Sequence, residues 1–284
     1  MRVKKPVTFR SKRMARVRRT QDAAASLSEK TASPVAGQGG MVPDQELHWE
    51  RSRVKEADLK RMEERGLLGS KADLQWRAPG DDSRPWENTG EITVFTSFFE
   101  RGFGIPTGDF FRGLLEYYKI EVTHLNPTSI FSISVYIHTC EAYLGIPLHF
   151  NLWRRLYRLK PIGPGKGGSG DPKVVGGAGF ALRSGMSRKY LVLDPNDSNK
   201  GWNKDWFYVG NHEPVLPSCT GFPPVAQPEW DAELEADQVA ETDELLALLA
   251  KQKAAGLTAG AVMLSFCQRL TQPIKDRVHP AYEY

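Results

Sequence analysis

The sequence predicts an α+β fold, a mainly α-helical domain with a small antiparallel β-sheet, preceded by a disordered basic N-terminal arm. Between Gly90 and Pro161, apolar and aromatic residues mostly recur every three or four positions, which is the period of helices that pack on a core. After Pro161 the pattern changes to short aromatic and β-branched runs separated by glycine, which favours strands and turns. Residues 1–19 follow neither pattern and are strongly basic.

The composition indicates an ordinary folded protein. The 284 residues are 40% hydrophobic and 25% charged, and no window holds the roughly 18 uninterrupted apolar residues that a membrane span needs. The cysteines Cys140, Cys219 and Cys267 are far apart and odd in number, which favours free thiols over a secreted disulfide framework. We therefore expect a nuclear or cytoplasmic protein that is not secreted and does not contact a membrane.

The N-terminal arm carries the positive charge of the chain. Residues 1–19 contain nine Lys and Arg and no acid, whereas the rest has 29 basic and 34 acidic residues, a net charge of −5. Such a cluster is typical of nuclear-import or polyanion-binding segments, and a transit peptide or a solvated tail are the alternatives. Candidate nucleic-acid contacts in the arm are Arg10, Lys12, Arg13, Arg16, Arg18 and Arg19.

Three regions follow from the changes in composition. Residues 1–45 are predicted to be a disordered basic arm and linker, and residues 46–225 a globular domain. Residues 226–284 are predicted to be an acidic spacer followed by amphipathic helices, since eight acids and no base lie between Glu229 and Glu244. These last helices either pack on the domain or form a segment for partner binding or self-association.

The helix expected between Asn126 and Gly145 is the most apolar part of the chain. Asn126 can cap it, Pro127 suits its first turn, and Gly145 can end it. Apolar residues cover nearly all of its faces, which predicts the central and most buried helix. The other expected elements are a helix over Glu56–Arg65, a strand over Ile92–Phe95, a helix capped by Thr107, a helix over 149–159, a hairpin turning at Ser184–Gly185, a strand within 200–210 and two C-terminal helices.

Within the central helix, Ser134, His138 and Glu141 lie on one stripe and are the side-chain types of a hydrolytic triad. A nucleophilic serine normally sits on a strained turn beside oxyanion-hole donors, and Ser134 is flanked by Ile133 and Val135 within a helix. A serine in this position commonly returns its hydroxyl to the preceding turn. We therefore interpret the stripe as a polar seam in a packed helix and predict no catalytic residue.

Two further sequence features do not match the patterns of a metal site or a phosphate-binding loop. No two cysteines are close enough for a structural zinc site, and the histidines fit no ligand spacing, so we predict no metal site and no cofactor. The loop GPGKGGSG, residues 163–170, resembles a phosphate-binding loop only loosely, because Gly167 rather than Ser or Thr follows Lys166. A flexible linker is the favoured interpretation of this loop, and no small-molecule substrate is expected.

Two groups of residues in the folded part are candidates for nucleic-acid contact. Arg154, Arg155 and Arg158 form a basic helix face that could contact phosphates. Trp202 and Trp206 belong to an alternating aromatic and basic run that resembles a base-stacking strand. The alternative for both tryptophans is that they cover a core, since aromatic side chains bury a large apolar area.

The order of several segments resembles the gypsy-type transposon domain that is abundant in grass genomes and that carries the label transposase. The segments include DLKRMEERGLL, WRAPG, GEITVFTSFFERGFGIPTGDFF and DSNKGWNKDWFYVGN, and the resemblance covers about residues 54–284. It supplies no catalytic motif. The residues that carry it are mainly packing and turn residues, namely Phe95, Phe98, Gly102, Pro106, Phe110, Phe111, Leu125, Pro127, Cys140, Glu141, Leu144, Gly145, Trp202, Trp206 and Phe207.

The resemblance implies a retrotransposon-derived, non-catalytic protein of the Gag-like assembly or protein-interaction type. Its expected partners are further copies of itself or other retroelement or host proteins. The alternative is a protein that binds DNA or RNA mainly through its basic N-terminal arm. A third hypothesis, a hydrolase or nuclease that uses His138, comes from the triad-like stripe alone.

Overall fold

Two short antiparallel β-ribbons organise the fold, and helices pack around both of them. The computed structural model describes residues 49–193, 200–213 and 215–270. Strand β1 (Glu91–Phe95) pairs with β4 (Trp206–Gly210), and β2 (Tyr157–Pro161) pairs with β3 (Ala178–Leu182). All described residues belong to one compact unit, Asp44–Tyr284. The predicted arm and linker, residues 1–45, lie outside the described residues.

Nine α-helices lie within the described residues, and together with the ribbons they confirm the predicted mainly helical α+β class. They are α1 (Glu56–Glu64), α2 (Lys71–Leu74), α3 (Thr96–Phe99), α4 (Asp109–Tyr118), α5 (Pro127–His138), α6 (Phe150–Leu156), α7 (Met186–Lys189), α8 (Ala236–Ala254) and α9 (Ala259–Leu270). None of these helices is long and apolar enough to cross a membrane.

Helix α5 is the central helix that the sequence predicts. The Asn126 side chain accepts a hydrogen bond from the Ser129 amide at 2.8 Å, so the predicted cap forms. Ten of the twelve α5 residues are buried, and the helix packs against β3, α3 and α9. It continues as a π-helical turn, Thr139–Leu144, which ends at Gly145 with a φ of +63°. Glycine adopts that left-handed conformation at the lowest cost, because it has no Cβ atom.

Each ribbon has its own aromatic cluster. Beside β1 and β4, the Trp202 ring meets Phe95 at 4.8 Å and Phe98 at 5.7 Å between centroids. Beside β2 and β3, the Trp153 ring stacks on Tyr157 at 4.2 Å and meets Phe180 edge-on at 4.9 Å. Ring pairs in these geometries contribute about 0.5–1.5 kcal/mol beyond the area they bury, so the two clusters stabilise both ribbons.

The pairing of the strands differs from the prediction. The hairpin expected at Ser184–Gly185 is absent from the described residues. Strand β3 pairs instead with the preceding strand, β2, and the chain then enters α7. Tyr190 and Leu191 are buried side chains rather than members of a returning strand. The helix predicted over 149–159 ends at Leu156, where the chain extends into β2. The cap of α4 is Gly108 rather than Thr107.

The C-terminal helices are part of the core. Helix α8 buries Leu246 and Leu249 and packs against α6. Helix α9 buries Val262 and Phe266 and packs against α5, where the Phe266 ring meets Phe131 edge-on at 5.8 Å. Of the two alternatives for these helices, the described residues therefore show packing on the domain.

Gly102 offers a test of how tightly α5 and α9 pack on the loop after α3. Its φ is +96°, and a Cβ atom there would lie 2.7 Å from both the Ser134 Oγ atom and the Phe266 ring. Gly102→Ala should lower the free energy of unfolding by about 2–4 kcal/mol, because backbone strain adds to a forced shift of packed side chains. Denaturant unfolding of the full chain measures this change.

Gly113→Ala is the matched control, because a Cβ atom at Gly113 meets nothing within 4 Å in helix α4. This substitution should raise stability slightly, since alanine favours a helix interior by up to about 1 kcal/mol over glycine. Equal effects of the two substitutions would contradict the packing described at Gly102.

Candidate interaction surfaces

The polar stripe of helix α5 lies in the packed interior. Ser134 and His138 are both buried, and the His138 Nε2 atom lies 3.1 Å from the Ser265 hydroxyl of α9. The His138 ring also meets the Phe266 ring edge-on at 5.9 Å. Burial, assisted by the charge of Arg269, lowers the pKa of His138 to about 4. The His138 side chain therefore joins α5 to α9, whereas Glu141 lies beyond α5 in the π-helical turn and is partly buried.

Trp202 and Trp206 are packed in the first aromatic cluster. Trp206 is fully buried, and its indole N–H donates to the Glu50 carbonyl at 2.8 Å. Trp202 is half-buried between Phe95 and Phe98. Both rings thus pack on aromatic neighbours of the core, Trp206 completely and Trp202 in part, which favours the core alternative.

Arg154 and Arg155 lie on α6, whereas Arg158 lies in β2, so the predicted helix face is wrong for Arg158 because the helix ends at Leu156. The three side chains nevertheless come together, and Arg183 joins them. The four side chains line a depression of about 380 Å³, which we call the arginine surface. Arg154 lies over the Tyr117 ring at 5.1 Å, and Arg183 donates to the carbonyls of Arg154 and Tyr157 through its Nε atom. Sequence reasoning missed Arg183, because no spacing rule links the end of β3 to helix α6.

An acidic segment covers the arginine surface. We call residues 231–243 the acidic strap. Its Asp231 carboxylate pairs with Arg158 at 2.9 Å and with Arg183 at 2.6 Å, and Asp243 lies 3.6 Å from Arg155. The predicted acidic spacer thus contacts the predicted phosphate-binding arginines. The arm residues Arg10, Lys12, Arg13, Arg16, Arg18 and Arg19 lie outside the described residues.

A second surface is a groove of about 710 Å³ between two loops, residues 84–90 and 215–221, which we call the Trp86 groove. The Trp86 side chain is 70% exposed, while its backbone is held by a 2.7 Å hydrogen bond from its amide to the Tyr208 hydroxyl. Val215 lines the groove and is 54% exposed, and Phe222, which follows the second loop, is 73% exposed. The groove therefore presents apolar side chains to solvent.

Two carboxylates fix the shape of the Trp86 groove from below. Glu87 accepts hydrogen bonds from the amides of Thr93 at 2.7 Å and Cys219 at 3.1 Å, and Glu121 accepts from the Thr220 amide at 3.1 Å. Burial raises the pKa of Glu87 and raises that of Cys219 to about 11. Within the described ranges, no three His, Cys, Asp or Glu side chains are grouped to hold a metal ion.

These features define an aromatic-cored α+β domain with an exposed apolar groove and an arginine-rich surface that the acidic strap partly covers. The family model described as "Putative gypsy type transposon" matches residues 92–161, from β1 to the last residue of β2. This match confirms the resemblance over residues 92–161 and supports derivation from a retrotransposon. The search of curated proteins and the search of solved structures each found no match.

The low pKa of His138 predicts a loss of stability in acid. The unfolded chain binds a proton at this imidazole near pH 6.5, whereas the folded chain binds it only near pH 4. The unfolded state is therefore favoured as the pH falls through this window, by about 1–2 kcal/mol after allowance for screening. The change should level off below pH 4.

His138→Gln should remove this acid-dependent part of the unfolding free energy, measured by denaturant unfolding between pH 7 and pH 4. His212 lies on the surface, so His212→Gln is the matched control and should keep the acid loss of the parent protein. An acid loss of equal size in both variants would contradict the assignment to His138.

Proposed function

We propose that this chain is a non-catalytic, retrotransposon-derived protein that acts by assembly, in the manner of a Gag-like component, and that it self-associates through the Trp86 groove. The observation that carries this proposal is the exposure of Trp86 and Val215 in the groove and of Phe222, the residue that follows its second loop. They are three of the seven large apolar side chains that the described residues expose. Aromatic side chains are enriched in protein interfaces, and they dominate the binding energy there.

A second copy of the chain is the occupant that the groove fits best. The groove can pair with itself about a two-fold axis, because such an axis brings the same surface of each copy together. Its apolar side chains can pack on the same side chains of a second copy. The two loops are held by hydrogen bonds to Tyr208, Glu87 and Glu121, which lowers the entropy lost on association.

Sedimentation of the full chain over a wide concentration range tests self-association. The parent chain should form dimers or larger assemblies, and Trp86→Ser combined with Phe222→Ser should weaken them by about tenfold or more. Leu248→Ser combined with Leu264→Ser is the matched control, because those leucines are exposed on α8 and α9. A monomeric parent chain, or equal weakening by both pairs, would contradict the proposal.

The second candidate function is nucleic-acid binding by the N-terminal arm, supported by nine basic residues and no acid within residues 1–19. The same composition supports a nuclear location. Deleting residues 1–19 should abolish most binding to single-stranded RNA and reduce its salt dependence, because phosphate contacts release counterions. A chain with residues 1–19 scrambled should bind like the parent, since this affinity depends on charge rather than order.

Fluorescence anisotropy at several salt concentrations measures both changes. Unchanged affinity after the deletion would exclude the arm as the main binding site. Lost affinity in the scrambled chain would instead indicate a sequence-dependent role of the arm.

A further inference from the structure

We propose that the arginine surface is a second binding site, for the phosphodiester backbone of nucleic acid, and that the acidic strap occupies it as an internal competitor. The inference does not depend on self-association through the Trp86 groove, nor on binding by the N-terminal arm. It rests on how the strap is attached, on which arginine atoms it contacts, and on how strong those contacts are.

The strap is attached at both ends and crosses the arginine surface between them. At one end Trp230 is buried, and its indole N–H donates to the Tyr118 carbonyl at 2.8 Å. At the other end α8 buries Leu246 and Leu249 in the core. The side chains of the strap are therefore held close to the arginines even when individual contacts break, and their effective local concentration is high.

The contacts of the strap imitate those of a nucleic-acid backbone. Arg158 and Arg183 share the two oxygens of the Asp231 carboxylate, at 2.9 Å and 2.6 Å. The guanidinium group binds carboxylate and phosphate oxygens with the same geometry, so a phosphate can take the place of this carboxylate. The strap also supplies main-chain acceptors, because Arg183 donates to the Ala232 carbonyl at 2.9 Å.

The charge of the surface is only partly neutralised by the strap. In the ion pairs of the described residues, three of the four arginines meet carboxylates of the strap, and these belong to Asp231 and Asp243 alone. Arg154 instead contacts the Asn151 side chain, the Glu233 carbonyl and the Tyr117 ring. A polyanion that brings several phosphates in a row can therefore neutralise the surface more fully than the strap does.

The ion pairs are weak enough to exchange. The side chains of Asp231 and Asp243 are 53% and 50% exposed, and exposed pairs contribute about 0–1 kcal/mol each. Arg155 and Arg158 are the arginines most readily released, because their ion pairs with Asp243 and Asp231 are side-chain contacts only. Arg183 keeps its bonds to the carbonyls of Arg154 and Tyr157, so the surface retains its shape when the carboxylates of the strap release the arginines.

The experiment compares full-length variants in binding a labelled single-stranded RNA of about 20 nucleotides, long enough to span such a site. Asp231→Asn with Asp243→Asn removes the carboxylates that pair with the arginines. Affinity should rise by about three- to tenfold, and the slope of log affinity against log salt should steepen by about 1–2, since two more arginines contact phosphate. Circular dichroism and thermal unfolding verify that each variant is folded.

Two controls distinguish RNA binding at the arginine surface from a general effect of net charge on the affinity. Glu229→Gln with Glu244→Gln changes the net charge equally but lies outside the ion pairs of the arginine surface, so it should leave the salt slope unchanged. Arg155→Gln with Arg158→Gln, added to the two Asp→Asn substitutions, should cancel the gain in affinity. The proposal would be overturned if the Glu variant gained as much affinity for the RNA as the Asp variant, or if the Asp variant gained none. It would also be overturned if the gain in affinity persisted after the two arginines were substituted.

Discussion

Helix α5 is buried on nearly every side, and the arrangement of the other elements depends on that burial. Its apolar residues surround the helix, so it needs partners in several directions at once. Strand β3, helix α3 and helix α9 supply them. Aromatic side chains then fill the space beside each ribbon, with Trp202 in one cluster and Trp153 in the other. The C-terminal helices are therefore required to complete the core rather than added to it.

Because α5 is buried, its buried polar side chains find their partners inside the protein. A buried polar side chain needs a partner inside the protein, and His138 meets the Ser265 hydroxyl of α9 for that reason. The side chains that face solvent lie elsewhere, on the loops of the Trp86 groove and on the arginine surface. Both surfaces depend on residues outside the matched family segment, 92–161, which contributes Arg154, Arg155 and Arg158 but neither Arg183 nor the strap.

The sequence predicts the local features well because they depend on neighbouring residues. Short sequence patterns are enough to predict the cap at Asn126, the end of the central helix at Gly145 and the position of β1. The pairing of β3 with β2 and the contact of Asp231 with Arg158 do not, since each joins residues that are far apart in the chain. The eight acids between Glu229 and Glu244 were visible as a run, but their partners become apparent only when α6 and β3 are placed side by side.

Native-state hydrogen exchange across α5 tests the central claim most directly. The amides of residues 130–138 should exchange only through global unfolding, with the free energy that denaturant unfolding gives for the whole domain, while residues 84–90 exchange through smaller openings. Exchange of the α5 amides at a free energy about 2 kcal/mol or more below the global value would show that this helix opens on its own. In that case the rest of the fold would not depend on its burial.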